Sequence, residues 1–426
     1  MLIIVFEDAT TDRLGVLTTA RPACDLTIGS TTLVDALARF GSVRRAPRPH
    51  LAAYLAALSG RRIPLWGGHV DTTPVPAPIS RLGETVLAVN ARVIPSRENL
   101  ASLRTLVEAG HRCVVREGRA IAAAMLHRSG DSIDENLLPA DGPTASAILE
   151  SLNLPSADTA LEMLAEPHDV VTAHERAIEG CLAMRIDSGA FREVRPGLFA
   201  AEGARIADQI AVRHGPVVVA DGAEIGPFVC LDGPIWIGPR ARVNPHAWIR
   251  AGTSLGLECR AGGEIEATVM EPYGNKPHDG FLGHSHVGSW VNLAAGTITS
   301  NLKATYGSVR LHGSRPDGGR LTTHTGRQFL GGLIGDLVKS GINSSIPCGC
   351  RIGMAATVGG TVPEQVIAFT NQLIGGEAGT RSTPDQVATV LERMMVRRGV
   401  TILDADRSLL EAIAGRMAVG GDLAEP

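Results

Sequence analysis

VVVADGAEIGPFVCLDGPIWIGPRARVNPHAWIRAGTSLGLECRA, residues 217–261, repeats itself every six positions. Val219, Ile225, Leu231, Ile237, Val243, Ile249, Leu255 and Ala261 follow one another at that interval without a slip. Two residues before each stands another small or apolar side chain: Val217, Ala223, Val229, Ile235, Ala241, Ala247, Thr253 and Cys259. Gly226, Gly238 and Gly256 come directly after their apolar residues. Each hexad of this kind forms one short flat strand and a corner, and three hexads close a coil. The pattern therefore predicts a parallel β-helix in which residues eighteen apart stack, Val219 on Ile237 on Leu255. A second run, Ile334, Ser340, Ile346, Ile352 and Val358, keeps the period.

Outward from this stretch the chain divides into three. Residues 204–362 form the β-helix, with an insertion at 271–330 that is polar and rich in histidine and asparagine. In a one-dimensional stack an insertion must leave the coil, and such excursions are where function gathers. Residues 363–426 read as a helical segment, two amphipathic helices over Thr383–Arg398 and Asp406–Val419 capping the last coil. Residues 1–190 alternate strands with helices: a strand at Leu2–Phe6, helices at Thr31–Phe40 and Pro49–Leu58, and a strand at Thr85–Asn90. A helix near Asn99–Gly110, a strand pair either side of Glu117-Gly118, and helices at Thr144–Leu152 and Thr159–Ala165 follow. That alternation predicts an α/β domain with a mostly parallel sheet.

Composition fits this division and excludes several classes. Forty basic against 44 acidic residues, a net charge of −4, leave no concentrated basic surface for nucleic acid. Apolar content of 44% with 20% charge excludes a mainly disordered chain. Glycine at 49 with aromatic residues at only 4% matches many tight turns around small or β-branched interiors. The opening MLIIVFEDATTD reads as neither secretory signal nor membrane anchor, and the seven dispersed cysteines read as reduced thiols of a cytoplasmic protein. Only three lysines occur: Lys276 and Lys303 in the interruption, and Lys339 just inside the second run, after Ile334. A compact ammonium where arginine is otherwise used marks positions at which arginine will not substitute.

The segment NKPHDGFLGHSHVGSWVNLAAGTITSNLK, residues 275–303, resembles the acetyltransferase region of the bifunctional sugar-1-phosphate nucleotidyltransferase/acetyltransferase family. LIGDLVKSGINSSIPCGCRIG, residues 333–353, is similar to the coils that follow there. FED and LTTARPACDLTIGSTTL near the amino terminus, with VLAVNARVIPS, resemble a divergent bacterial branch of that family. The resemblance implies a left-handed β-helix, a nucleotidyltransferase-like front domain and a homotrimer. Acetyl-CoA would be bound between neighbouring coils.

Acyl transfer to an amine needs a proton acceptor and a donor for the developing oxyanion. By the resemblance, His278 is the general base, and Asn292 and Asn301 contact the sugar or acyl group. Lys303 matches a region where the family sets a lysine against substrate phosphate, and Lys276 is a further substrate-binding candidate. Ala294, Ala295 and Gly296 would let the pantetheine arm approach the backbone, with Lys339 also on the cofactor. Phe281 stands where the family has a tyrosine, and Glu266 where a lysine often sits, which weakens the usual phosphate binding. His284 and His286, two apart, share one side of a strand and with His278 raise a zinc site as a rival.

The front domain lacks the family's glycine-rich phosphate loop, since its first strand ends in Phe6-Glu7-Asp8-Ala9-Thr10. Asn90-Ala91-Arg92 stands where the magnesium aspartate would fall. Arg13, Arg21 and Arg92 are the candidates to bind substrate phosphates there, with Asp8 or Asp25 holding Mg2+. Three functions follow: a two-domain sugar-nucleotide enzyme with an acetyl-CoA-dependent transferase; a nucleotidyltransferase whose β-helix is only a scaffold; and a non-catalytic assembly protein.

Overall fold

The computed structural model describes residues 1–58, 66, 85–127, 141–314, 320–373 and 379–420. In the front domain five strands lie in the order β2-β1-β3-β5-β4, with β1 at Leu2–Phe6, β2 at Ser42–Ala46, β3 at Thr85–Asn90, β4 at Cys113–Glu117 and β5 at Ala120–His127. Only β2, β1 and β3 run parallel; β5 is antiparallel to both neighbours, so the sheet is mixed. Helices α1 (Leu33–Leu37), α2 (Pro49–Leu58), α3 (Arg97–Ala109) and α4 (Gly142–Ser151) match the sequence reading within a few residues. The helix expected at Thr159–Ala165 is instead extended. Glu162 and Leu164 are fixed by backbone bonds from Ile94 N to Glu162 O and from Leu164 N to Arg92 O, which hold the segment straight. The long helix α5 (Asp169–Ile186) begins only after it.

The period-six residues build a left-handed parallel β-helix. Val219 pairs in register with Ile237 and Ile237 with Leu255, and all three are fully buried. The first face carries strands from Arg192–Arg195 to Gln365–Val366, the second from Arg205–Ile206 to Thr370–Asn371, and the third from Ala211–His214 to Ser345–Ile346. Corners are turned by residues with positive φ, among them Phe228, Arg240, His246 and Tyr273. That conformation costs about 1–2 kcal/mol per residue and persists because the ladders on either side fix it.

The coils do not stop at Glu271. Asn275–Lys276, Phe281–Gly283, His286–Val287 and Ile298–Thr299 all pair with the coil before or after them. Only the stretch after Asn301 leaves the stack, as an antiparallel hairpin of Arg310–Ser314 with Arg320–His324, and the chain re-enters at Leu333. The sequence period breaks earlier because two corners are shortened: after Ala261 the stacked interior residues are Ile265 and Met270, which lie on Ile249 and Leu255.

Helices α6 (Pro384–Val396) and α7 (Asp404–Gly420) do not cap the end of the stack. They lie along its side, sharing one apolar cluster with Tyr273, Trp290, Leu337, Met354 and Phe369 of successive corners and with Leu51, Tyr54 and Leu58 of α2. The front domain is likewise fastened to the β-helix, its main core continuing into Val309, Leu311, Leu330 and Leu333. Among the described residues no helix is long and apolar enough to cross a membrane.

Candidate functional site

His278 lies on the corner between the second and third faces, exposed to solvent. Its turn is held from inside. Lys276 occupies an interior position stacked on Ala261, and its ammonium donates to the carbonyls of Gly262 (3.3 Å), His278 (2.8 Å) and Asp279 (3.1 Å). Three carbonyls converging on one point suit a compact three-donor ammonium and not a planar guanidinium. Burial lowers the Lys276 pKa to about 8 against a weak opposing pull from Asp279. Lys276 therefore does not face a substrate; it pins the loop that carries His278. From two coils below, past Gly262, the Asn244 amide donates to Pro277 O at 2.8 Å.

The next coil places Ala294, Ala295 and Gly296 on the same corner. The two turns touch, since a side chain on Gly280 would collide with the Thr297 carbonyl. Gly296 has φ +70°, and a β-carbon there would meet the Asn343 side chain. Ala294 N donates to Ser340 Oγ at 2.9 Å, whereas the amides of Ala295 and Gly296 have no acceptor among the described residues.

Asn292 sits just before that corner, on the outer side of the second face, its Oδ1 accepting from Asn275 Nδ2 at 2.6 Å. Lys339 lies beside it one coil on. Both line a cavity of about 270 Å³ closed by α6, together with Arg260, Tyr273, Asn275, Trp290, Val390, Met394, Arg397 and Arg398. Arg260, Arg397 and Arg398 were not legible as site residues, because outward hexad positions and a helix end carry arginine commonly. Burial lowers the Lys339 pKa to about 8.

Asn301 and Lys303 are on another edge, between the third and first faces. The Asn301 amide donates to His284 Nδ1 at 2.8 Å, and His284 stacks on Phe329 with ring centroids 5.2 Å apart. Burial, then Arg327 and Arg250, lower the His284 pKa to about 4. Lys303 lines a separate hollow of about 480 Å³ with Arg310 and Cys348. His286 is buried against Glu271 at 3.1 Å. The three histidines thus point to different surroundings, and among the described residues no three His, Cys, Asp or Glu side chains are grouped to hold a metal ion.

The front-domain candidates are placed differently from the sequence expectation. Arg21 is wholly buried, paired with Glu271 at 3.2 Å and with Asp336, and donates to Ser289 Oγ at 2.8 Å. It joins the two domains and has no open side for phosphate. Arg92 grips Asp8 through two nitrogens at 3.0 and 2.7 Å and reaches Leu164 O at 2.6 Å. Burial alone would raise the Asp8 pKa, but Arg92 together with Asn90 and Thr11 holds it below the usual carboxylate value. Asp25 is gripped by Arg45 at 2.9 and 2.7 Å, while its burial keeps its pKa raised. Two carboxylates that each already meet a guanidinium fork do not fit a divalent cation. Neither pairing could be seen in the sequence, since the partners come from other strands. Arg13 is at the surface, paired with Glu166.

Comparison with known proteins supports the front-domain reading. Residues 3–181 match the family model described as sugar nucleotidyl transferase. The bifunctional protein GlmU of Cyanothece sp. is 30% identical over 164 residues, 36% of this chain and 31% of that protein. The bifunctional sugar-1-phosphate nucleotidylyltransferase/acetyltransferase of Sulfurisphaera tokodaii is 30% identical over 157 residues, 36% of this chain and 37% of that protein. The GlmU of Paracoccus denitrificans reaches 40% over 87 residues, 20% of this chain and 19% of that protein. The chain is thus similar, at modest identity, to GlmU proteins. In the first and second of these matches the chain spans about a third of the relative's length.

Proposed function

We propose that this GlmU-like chain is a sugar-nucleotide enzyme whose β-helix transfers an acetyl group from acetyl-CoA to an amino-sugar phosphate. The observation that carries the reading is the contact between the His278 turn and the Ala294–Gly296 turn on one corner. An exposed histidine then lies on the same corner as two backbone amides, Ala295 and Gly296, that have no acceptor among the described residues. A thioester carbonyl set against those amides would have its oxyanion held while His278 takes the proton of the attacking amine. Gly296 lets the turn pack against the Asn343 side chain of the next coil, which fixes the direction of the two amides. Asn292 and Lys339 lie next along the second face, on the substrate side of the same corner. Mg2+ has no place in this chemistry.

Asn301 and Lys303 would meet His278 only across a subunit seam, so the reading includes a homotrimer. Phe228, Ile298 and Ile342, at 61%, 49% and 71% exposure, supply apolar surface along the His278 edge for that seam. The front domain, by its match over residues 3–181, would bind a sugar phosphate or nucleotide. The cytoplasm, where seven free thiols stay reduced, is the compartment this reading requires.

The test is a paired assay. Release of free thiol from acetyl-CoA with an amino-sugar phosphate supports acetyl transfer. Pyrophosphate release from a nucleoside triphosphate and a sugar 1-phosphate, without thiol release, would leave the β-helix a scaffold. Neither signal across a broad panel of sugars would leave an assembly protein.

A further inference from the structure

We propose that the cavity between the second face and α6 is a binding site for a small phosphate-bearing molecule, and that α6 is thereby part of the site. Four cations line its wall: Arg260 and Lys339 from the coils, Arg397 and Arg398 from the end of α6. The one acid beside them is Glu258, which already pairs with Arg240 at 2.7 Å and stands 3.9 Å from Arg398. Among the described residues, no carboxylate lies within ion-pair distance of Arg260, Lys339 or Arg397. Arg260 Nε is buried without a hydrogen-bond partner. The Lys339 ammonium donates to Leu337 O at 2.8 Å and has further N–H groups to offer.

Positive charge concentrated in a half-open hollow with one shared carboxylate at its edge is unfavourable unless an anion enters. A chain with net charge −4 has no general reason to gather it there. One carboxylate would leave most of the charge unanswered, while a phosphate monoester or diphosphate presents several oxygens to forked and point donors together. The free half of the cavity is amphipathic. Asn292 has amide hydrogens to spare, and the Tyr273–Trp290 pair, stacked with centroids 4.1 Å apart, forms a flat wall with Met394. At about 270 Å³ the space suits a phosphate with a small attached group, not a polymer.

Inorganic pyrophosphate, glucosamine 1-phosphate and coenzyme A are titrated separately into the full chain by calorimetry near pH 7, with glucosamine and pantetheine as phosphate-free counterparts. Saturable binding of at least one phosphate compound, absent for its counterpart, is the expected result, and the compound that binds identifies the source. Lys339→Met and Arg397→Ser should each weaken it by about tenfold or more. Arg397 is exposed, so its variant folds whatever becomes of Lys339→Met. The proposal is overturned if no phosphate compound saturates the protein, if counterparts bind equally, or if Arg397→Ser binds as the parent does. Asn292 and Lys339 are shared with the acetyl-transfer reading, so Arg397→Ser separates the two: unchanged phosphate binding in that variant overturns this site alone, whereas retained binding without thiol release overturns only acetyl transfer.

Discussion

Arg21, in the loop after β1, makes a fully buried ion pair at 3.2 Å with Glu271 on the first turn of a β-helix corner. The same guanidinium meets Asp336, and Thr27 donates to Glu271 through both its backbone N–H and its hydroxyl at 2.8 Å. Burial would push the Glu271 carboxyl up, but Arg21, His286 and Thr27 together hold it at about 2. Arg21→Met would strand two buried carboxylates, a loss of about 3–5 kcal/mol. Guanidinium denaturation should show a lower midpoint, with front domain and β-helix still unfolding together. An unchanged midpoint would mean that the join rests on apolar contacts alone.

Ile237→Ala removes a fully buried side chain stacked between Val219 and Leu255. A stack leaves little freedom to collapse around the gap, so the loss should be about 2–5 kcal/mol. A thermal melt reads it. No shift would contradict the interior stacking.

The stacking was legible because a strict period records a strict geometry. What followed was not. Corners shortened between Ala261 and Met270 broke the period while the pairing continued, so an excursion was read from residue 271 that in fact begins after Asn301. Lys276 looked like a substrate contact because a motif cannot say whether a strand residue points in or out. Arg21, Arg92, Asp8 and Asp25 looked available because pairing partners are brought together only by the fold, in one case from 315 residues away. The cationic cavity needed α6 to be placed before it existed at all.

Acid should weaken the fold before it weakens the charge balance of the surface. His50, His174 and His284 are held neutral, with pKa values lowered from 6.5 to about 3, 4 and 4, in each case chiefly by burial. The unfolded chain takes these protons near pH 6.5, and the folded chain refuses them until much lower. Their contribution is therefore present above pH 6.5 and is lost progressively as pH falls towards 4. Glu271, depressed from 4.5 to about 2, acts in the same direction below 4.5. Denaturation midpoints at pH 7 and pH 5 should differ, the lower pH giving the lower stability. His174→Gln should shrink that difference; an equal midpoint at both values would contradict the burial of these rings.

His278→Ala should lower acetyl transfer by about 10²–10⁴-fold while the melt is unchanged, since the side chain is exposed and makes no hydrogen bond or ion pair among the described residues. Lys276→Met gives the complementary reading. It keeps His278 but removes the ammonium that ties Gly262, His278 and Asp279 carbonyls into one turn. A displaced base loses rate while the substrate contacts stay in place, so kcat should fall by about tenfold with KM little changed. If Lys276→Met left kcat untouched, the ammonium would be holding only the coil, and if His278→Ala turned over normally, proton removal would have to come from another group on the corner.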